Sequence, residues 1–225
     1  MTTAAEKERV GKAAAELVEA GMTLGLGTGS TAAFFVEAVA ARGLNPRCVP
    51  TSETTARMAR ERGLQVIGLD EADSIDLTID GVDEVDGALN AIKGGGGALM
   101  REKIVASLST SVVYIGDSSK PVATLGKFPL PVEVSPFAAP AIQRRLQDLG
   151  ATVSLRQSAD GTGPFVSDER HWILDAAFGE IDDADELDVL LNMTPGIVAH
   201  GLFVGLIDRM LISRGEQIEV MARPE

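Results

Sequence analysis

Apolar residues recur at helical spacing from Glu6 to Ala20. Val10, Ala13, Ala14, Leu17 and Val18 fall on one face, and Gly21 is placed to stop the helix. The pattern then changes. "MTLGLGTGSTAAFFVEAVAARG" reads as strand, glycine turn and helix, and "RCVPTSETTARMARERG" repeats that order with a helix from Glu53 to Gly63. "LQVIGLD", "SIDLTID" and "TSVVYIGD" are apolar along their length and read as three further strands. Such strands, alternating with helices, predict a parallel sheet covered on both faces.

The texture shifts near Lys127, where Pro129, Pro131, Pro136 and Pro140 rule out a long helix. Beyond it the pattern predicts a helix (Ala138 to Leu149), a strand ("ATVSLRQ"), a turn ("ADGTGP"), a strand ("RHWILDAAF") and a helix ("DADELDVLLNM"). "GIVAHGLFVGLIDRMLIS" returns to strand texture and is expected to rejoin the first sheet. The fold class expected is therefore α/β. A Rossmann-like, mostly parallel sheet with helices on both faces would occupy residues 1–126 and 200–225. A smaller α+β, ferredoxin-like domain would occupy residues 127–199.

Composition narrows the function. The net charge is −13 and no basic patch is visible, which argues against nucleic acid as a partner. An anionic ligand would have to be captured by local lysines and backbone N–H groups. One cysteine, Cys48, precludes an intrachain disulfide; it reads as a packing residue of a chain in a reducing cytoplasm. The first twenty residues lack a signal-peptide core, and nothing approaches the roughly 18 apolar residues of a membrane span.

Four stretches carry candidate chemistry. In "GLGTGSTA" a strand runs into a glycine turn before a helix, whose first N–H groups and dipole suit a phosphate; Thr28, Ser30 and Thr31 add hydroxyls. Gly27-x-Gly29-x-x-Ala32 also fits the dinucleotide fingerprint, but the next strand runs out as "VPTS" without the acidic partner, and no Walker lysine follows. In "IDGVDEVD", Asp80 ends a strand and Asp83 follows three residues later. Such carboxylates bind sugar hydroxyls, move protons or hold Mg²⁺; a solvated acidic turn would look the same. In "IKGGGGALMREK", bare glycines allow close backbone approach to a ligand, Lys93 precedes them, and Glu102 lies in the first two turns of a helix starting near Gly97. In "GDSSKPV", Lys120 follows a strand and either neutralises a phosphate or is an ordinary surface lysine. His171 and His200 show no metal-ligand spacing and read as structural.

In this order the four motifs closely resemble the type A ribose-5-phosphate isomerases, as do "TSETTA", "LGKFPLPVEV" and "NMTPGIVAHGLF". The resemblance runs from Lys7 to the C-terminal strands. It implies interconversion of D-ribose 5-phosphate and D-ribulose 5-phosphate in the non-oxidative pentose phosphate pathway, with no metal or organic cofactor. It implies a sugar phosphate as the partner and a homodimer or homotetramer. By motif, Thr28, Gly29, Ser30 and Thr31 line the substrate site. Asp80, Gly81, Val82 and Asp83 form the aspartate loop, and Lys93, Gly94, Gly95 and Gly96 the lysine–glycine loop. Glu102 is the base, Lys120 binds substrate and Lys7 reaches the phosphate. Asp80 or Asp83 assists ring opening. A non-catalytic sugar-phosphate sensor and an amino-sugar-phosphate deaminase share this kind of fold, and fold alone does not separate them.

Overall fold

The computed structural model describes residues 2–223. Its elements run α1 (Thr3–Ala15), β1 (Thr23–Leu26), α2 (Ser30–Arg42), β2 (Arg47–Pro50), α3 (Glu53–Glu61), β3 (Gln65–Val66), β4 (Ile75–Gly81), β5 (Glu84–Val85) and β6 (Ala91–Ile92). They continue with α4 (Leu99–Ser107), β7 (Ser109–Asp117), β8 (Leu130–Val134), α5 (Ala139–Asp148), β9 (Thr152–Leu155), β10 (Trp172–Ala177), α6 (Ala184–Asn192), β11 (Ile197–His200), β12 (Leu202–Phe203), β13 (Arg209–Arg214) and β14 (Gln217–Ala222).

The chain packs as two units. The first takes residues up to Val82, then Arg101–Pro121, then residues from Gly205 onward. Its sheet has the order β14-β13-β7-β4-β1-β2-β3 and is parallel except for the β13–β14 pair. Leu24, Leu26, Ile79, Val113 and Ile115 from the strands meet Val10, Ala14, Phe35, Val36 and Val39 from α1 and α2 in one core. All four residues of β1 are buried, as a strand covered on both faces requires.

The second unit takes Asp83–Met100 and Val122–Val204. Its order β8-α5-β9-β10-α6-β11 and its antiparallel sheet, β11-β8-β10-β9, give the ferredoxin-like arrangement expected. Leu130, Val132, Val134, Ile142, Leu146 and Leu174 form its core. A small sheet, β12-β6-β5, belongs to the same unit. Packing thus draws the borders differently from the sequence pattern. Glu84 accepts hydrogen bonds from Gly126 N (2.8 Å) and Phe128 N (2.6 Å), and β6 pairs with β12, so residues 83–100 join this unit.

Three other expectations are revised. The first helix ends at Ala15 rather than Ala20, where the Arg42 guanidinium takes over the Ala15 and Val18 carbonyls (2.9 Å to the latter). The helix after the glycines begins at Leu99, because Gly97 has φ +82° and donates its N–H back to Gly94 O at 2.9 Å. The segment from Ile197 does not rejoin the large sheet as one strand; β11 and β12 enter two other sheets and only β13 reaches it. Gly201 divides it, donating to Pro131 O (2.7 Å) and accepting from Lys93 N (2.9 Å).

Candidate active site

In the first unit, the turn after β1 lies beside the end of β4, in register Leu26↔Ile79. Gly27 donates to Ile79 O at 2.9 Å. A Cβ on Gly27 would lie 2.1 Å from Asp80 Oδ1 and 2.5 Å from Asp80 Cα, so only glycine admits this approach. Asp80 is 1% exposed, and its Oδ1 accepts from Thr28 N (3.1 Å) and Gly81 N (2.7 Å). The carboxylate is therefore built into the turn.

Helix α2 opens on this turn. Gly29 sits at its N-cap with φ +114° and provides no side-chain cap. Lys7 Nζ, from α1, donates to Ser30 Oγ at 2.9 Å. Thr31 is buried and Gly81 lies close to it, while Val82 is buried next along the chain. The unit thus brings together Lys7, Thr28, Gly29, Ser30, Thr31, Asp80 and Gly81. Positive charge, hydroxyls and a helix N-terminus in one place form an anion-binding arrangement.

The Thr28 hydroxyl has a role the sequence pattern did not show. It contacts Thr51 Oγ1 (2.8 Å), Ser52 Oγ (2.9 Å) and Thr55 Oγ1 (3.2 Å). Thr51 donates to Leu26 O at 3.1 Å and Thr55 to Gly27 O at 3.0 Å. Ser52 also caps α3 through Thr55 N. This hydroxyl cluster ties the "TSETT" segment to the back of the glycine turn. The clue lay in its run of small hydroxylated residues after a buried strand.

Glu102 lies in the first turn of α4 and is 3% exposed. Tyr114, fully buried on β7, pairs in register with Asp80 on β4. Burial, then the Asp80 and Glu102 carboxylates, push the Tyr114 phenol well above the usual tyrosine range. Tyr114 was not singled out from sequence; its signal was a lone hydroxyl inside the apolar run "SVVYIGD". Asp80 and Glu102 thus both act electrostatically on the buried Tyr114 phenol.

Lys120 follows β7. Its N–H donates to Asp117 O at 3.1 Å, while the Asp117 carboxylate accepts from Ser119 N (3.0 Å) and Ser119 Oγ (2.5 Å). Glu6 of α1 accepts from Ser118 N (3.1 Å), Ser118 Oγ (2.8 Å) and Gly215 N (2.9 Å).

In the second unit, Asp83 donates its N–H to Ile92 O (2.9 Å), and its Oδ2 accepts from Gly95 N at 2.8 Å. Lys93 is 2% exposed, and its ammonium stands 5.5 Å from the Phe203 ring centroid, a cation–π distance. Arg156 Nη1 donates to Gly94 O (2.9 Å) and Gly95 O (3.1 Å) and the guanidinium pairs with Asp175. A Cβ on Gly97 would lie 2.4 Å from Phe165 Cζ. The lysine–glycine loop is therefore a rigid structure. Asp83 holds the Gly95 N–H, Arg156 holds two carbonyls, and Gly97 serves as a turn before the helix. Arg156 was not found from sequence, because nothing local marks it.

The histidines are structural. His171 Nδ1 lies 3.2 Å from Glu133, and buried His200 places Nε2 3.1 Å from Asn192 Oδ1. Cys48 is buried, which pushes its thiol up to about 12. Among the described residues, no helix is long and apolar enough to cross a membrane.

Residues 47–217 match the family model of ribose 5-phosphate isomerase A (phosphoriboisomerase A). The ribose-5-phosphate isomerase A of Sphingopyxis alaskensis is 48% identical over 224 residues, covering 98% of this chain and 97% of that protein. That of Sinorhizobium medicae is 51% identical over 217 residues, covering 93% and 94%. A D-ribose-5-phosphate isomerase solved in complex with phospho-erythronic acid superposes with a TM-score of 0.96 at 35% identity, over 99% of this chain and 100% of the other. The Methanocaldococcus jannaschii ribose 5-phosphate isomerase A gives 0.94 at 36% identity, over 98% and 100%. Agreement along nearly the whole of each chain, in sequence and backbone alike, makes this chain a member of the ribose 5-phosphate isomerase A family.

Proposed function

We propose that Glu102 is the general base of an aldose–ketose isomerase that interconverts D-ribose 5-phosphate and D-ribulose 5-phosphate. The observation that carries this reading is the placement of Glu102, buried in the first turn of α4 with its charge acting on the Tyr114 phenol. The base removes the proton from C2 of the open-chain aldose, and negative charge develops on the C1 oxygen. The C2 hydroxyl proton passes to the C1 oxygen, and returning the carbon-bound proton to C1 yields the ketose. A positioned base of this kind contributes about 10²–10⁴-fold to the rate. By the family's motif, Lys93 and the Gly94 and Gly96 N–H groups are assigned to the enediolate oxygens, where losing one such donor costs about 2.7–4 kcal/mol; the Gly95 N–H is already taken by Asp83. Asp80 or Asp83 moves the anomeric hydroxyl proton during ring opening.

Lys7, Ser30 and Lys120 hold the phosphate, with Thr28, Gly29, Thr31, Gly81 and Val82 lining the same region. The Lys7–Ser30 contact and the turn geometry support this assignment. The relative solved with phospho-erythronic acid, a phosphorylated sugar acid, is consistent with it. The enzyme works in the cytoplasm as a homodimer or homotetramer.

The test is direct. Purified protein in EDTA is expected to equilibrate ribose 5-phosphate with ribulose 5-phosphate at the rate seen without chelator. Activity that vanishes in EDTA and returns with a divalent cation would overturn the cofactor-free mechanism. Lys120→Ala is expected to raise KM by about tenfold, the worth of one charge-assisted hydrogen bond, with kcat nearly retained. A fall in kcat at constant KM would remove Lys120 from phosphate binding.

A further inference from the structure

We propose that Glu6 is a positioning residue for phosphate affinity, fastening the segment that carries Lys7 to the turn that carries Lys120. The proposal rests on the phosphate reading given above. Its basis is geometric. Glu6 precedes Lys7 in the first turn of α1, and both its oxygens are engaged. Oε2 accepts from the N–H (3.1 Å) and hydroxyl (2.8 Å) of Ser118, two residues before Lys120; Oε1 accepts from Gly215 N (2.9 Å). Gly215 has φ +60° and turns the chain from β13 to β14, and its carbonyl accepts from Arg9, one helical turn beyond Glu6.

A carboxylate is an unusual element to bury beside two phosphate lysines, since its charge opposes the ligand's. Here it is 8% exposed and its acceptor capacity is taken up by three donors. The backbone N–H of Gly215, then the N–H and hydroxyl of Ser118, pull its carboxyl down to about 2, so it stays an ionised acceptor throughout the neutral range. From the same helical turn, Lys7 reaches Ser30 at the start of α2. The Ser118–Lys120 turn is separately set by Asp117 through Ser119. Glu6 is therefore the link between a helix register that aims Lys7 and a turn that aims Lys120. Because it touches neither lysine's ammonium, its effect on the ligand passes through their placement.

The experiment compares Glu6→Ala and Glu6→Gln with Lys7→Ala and Lys120→Ala, measuring KM and kcat for ribose 5-phosphate and the inhibition constant of inorganic phosphate. Glu6→Ala is expected to raise KM and the phosphate inhibition constant together, about five- to tenfold, with kcat within about twofold of wild type. Glu6→Gln keeps one acceptor oxygen and is expected to recover part of the loss. It also retains the side-chain volume if Glu6→Ala folds poorly. In a Lys7→Ala, Lys120→Ala background, removing Glu6 is expected to add less than twofold, because residues acting through one another are not additive. An unchanged phosphate inhibition constant in both Glu6 variants, with the lysine variants weakened, overturns the proposal and leaves the phosphate reading standing. Full additivity in the triple variant overturns it as well, assigning Glu6 a purely structural role. Lysine variants that leave phosphate inhibition unchanged overturn the phosphate reading itself, and this proposal with it.

Discussion

Glu102→Gln is expected to lower turnover by at least about 10²-fold while leaving KM and phosphate inhibition nearly unchanged. The amide matches the carboxylate in shape but cannot accept the C2 proton, so the loss falls on the transition state. Single-turnover kinetics with ribose 5-phosphate check it. Turnover close to wild type would eliminate Glu102 as the base.

Gly27→Ala is expected to damage stability and activity together. The added methyl would meet both the buried Asp80 carboxylate and the Asp80 Cα at 2.5 Å, which cannot move without displacing β4. Overpacking of this kind costs about 1–3 kcal/mol. For a chain of this length each kcal/mol lowers the melting temperature by roughly 2–4 °C. The shift also carries Asp80 and the Thr28 N–H out of place, and a misplacement near 1 Å costs about 10²-fold in rate. Gly87→Ala is the control, because a Cβ there meets nothing within 4 Å. A Gly27→Ala protein with wild-type melting and turnover would show that the turn tolerates what the geometry forbids.

Most of the residues legible in the sequence belong to short motifs at the carboxyl end of a strand, whereas Lys7 and Glu102 lie on α1 and α4. Gly27–Ser30, Asp80, Lys93–Gly96 and Lys120 follow apolar runs, and a glycine or charge there stands out against its neighbours. The alternation of strands and helices was legible for the same reason, since covered parallel strands are apolar throughout. What was hidden depends on partners distant in the chain. Arg156 reaches Gly94 across 62 residues, and Thr55 reaches Gly27 across 28. Arg156 carries no local mark of such a contact, and the hydroxylated run around Thr55 gives no hint of its partner. Tyr114 was hidden because an aromatic residue in a strand ordinarily signals packing, and only its register with Asp80 places it among the acids. Element ends were misplaced where long-range donors intervened, as Arg42 does at the end of α1. The partition of residues 197–214 among three sheets follows from the Gly201 backbone contacts, which no periodicity encodes.

The hydrogen bond from Gly215 to Glu6 joins residues 209 apart. During synthesis at about 5–20 residues per second, roughly 10–40 s separate their appearance. Through that interval α1 exists without β13; the end of β7 lies 96 residues before the partner it pairs with from Arg209 to Ser213 and waits roughly 5–19 s for it. The second unit, complete by Val204, can close its own sheets first, although it starts later in the chain. The large sheet must wait with one side of β7 open. In the cell, the nascent chain therefore offers an unpaired apolar strand for several seconds, and the hold time of chaperones on it should track the arrival of β13.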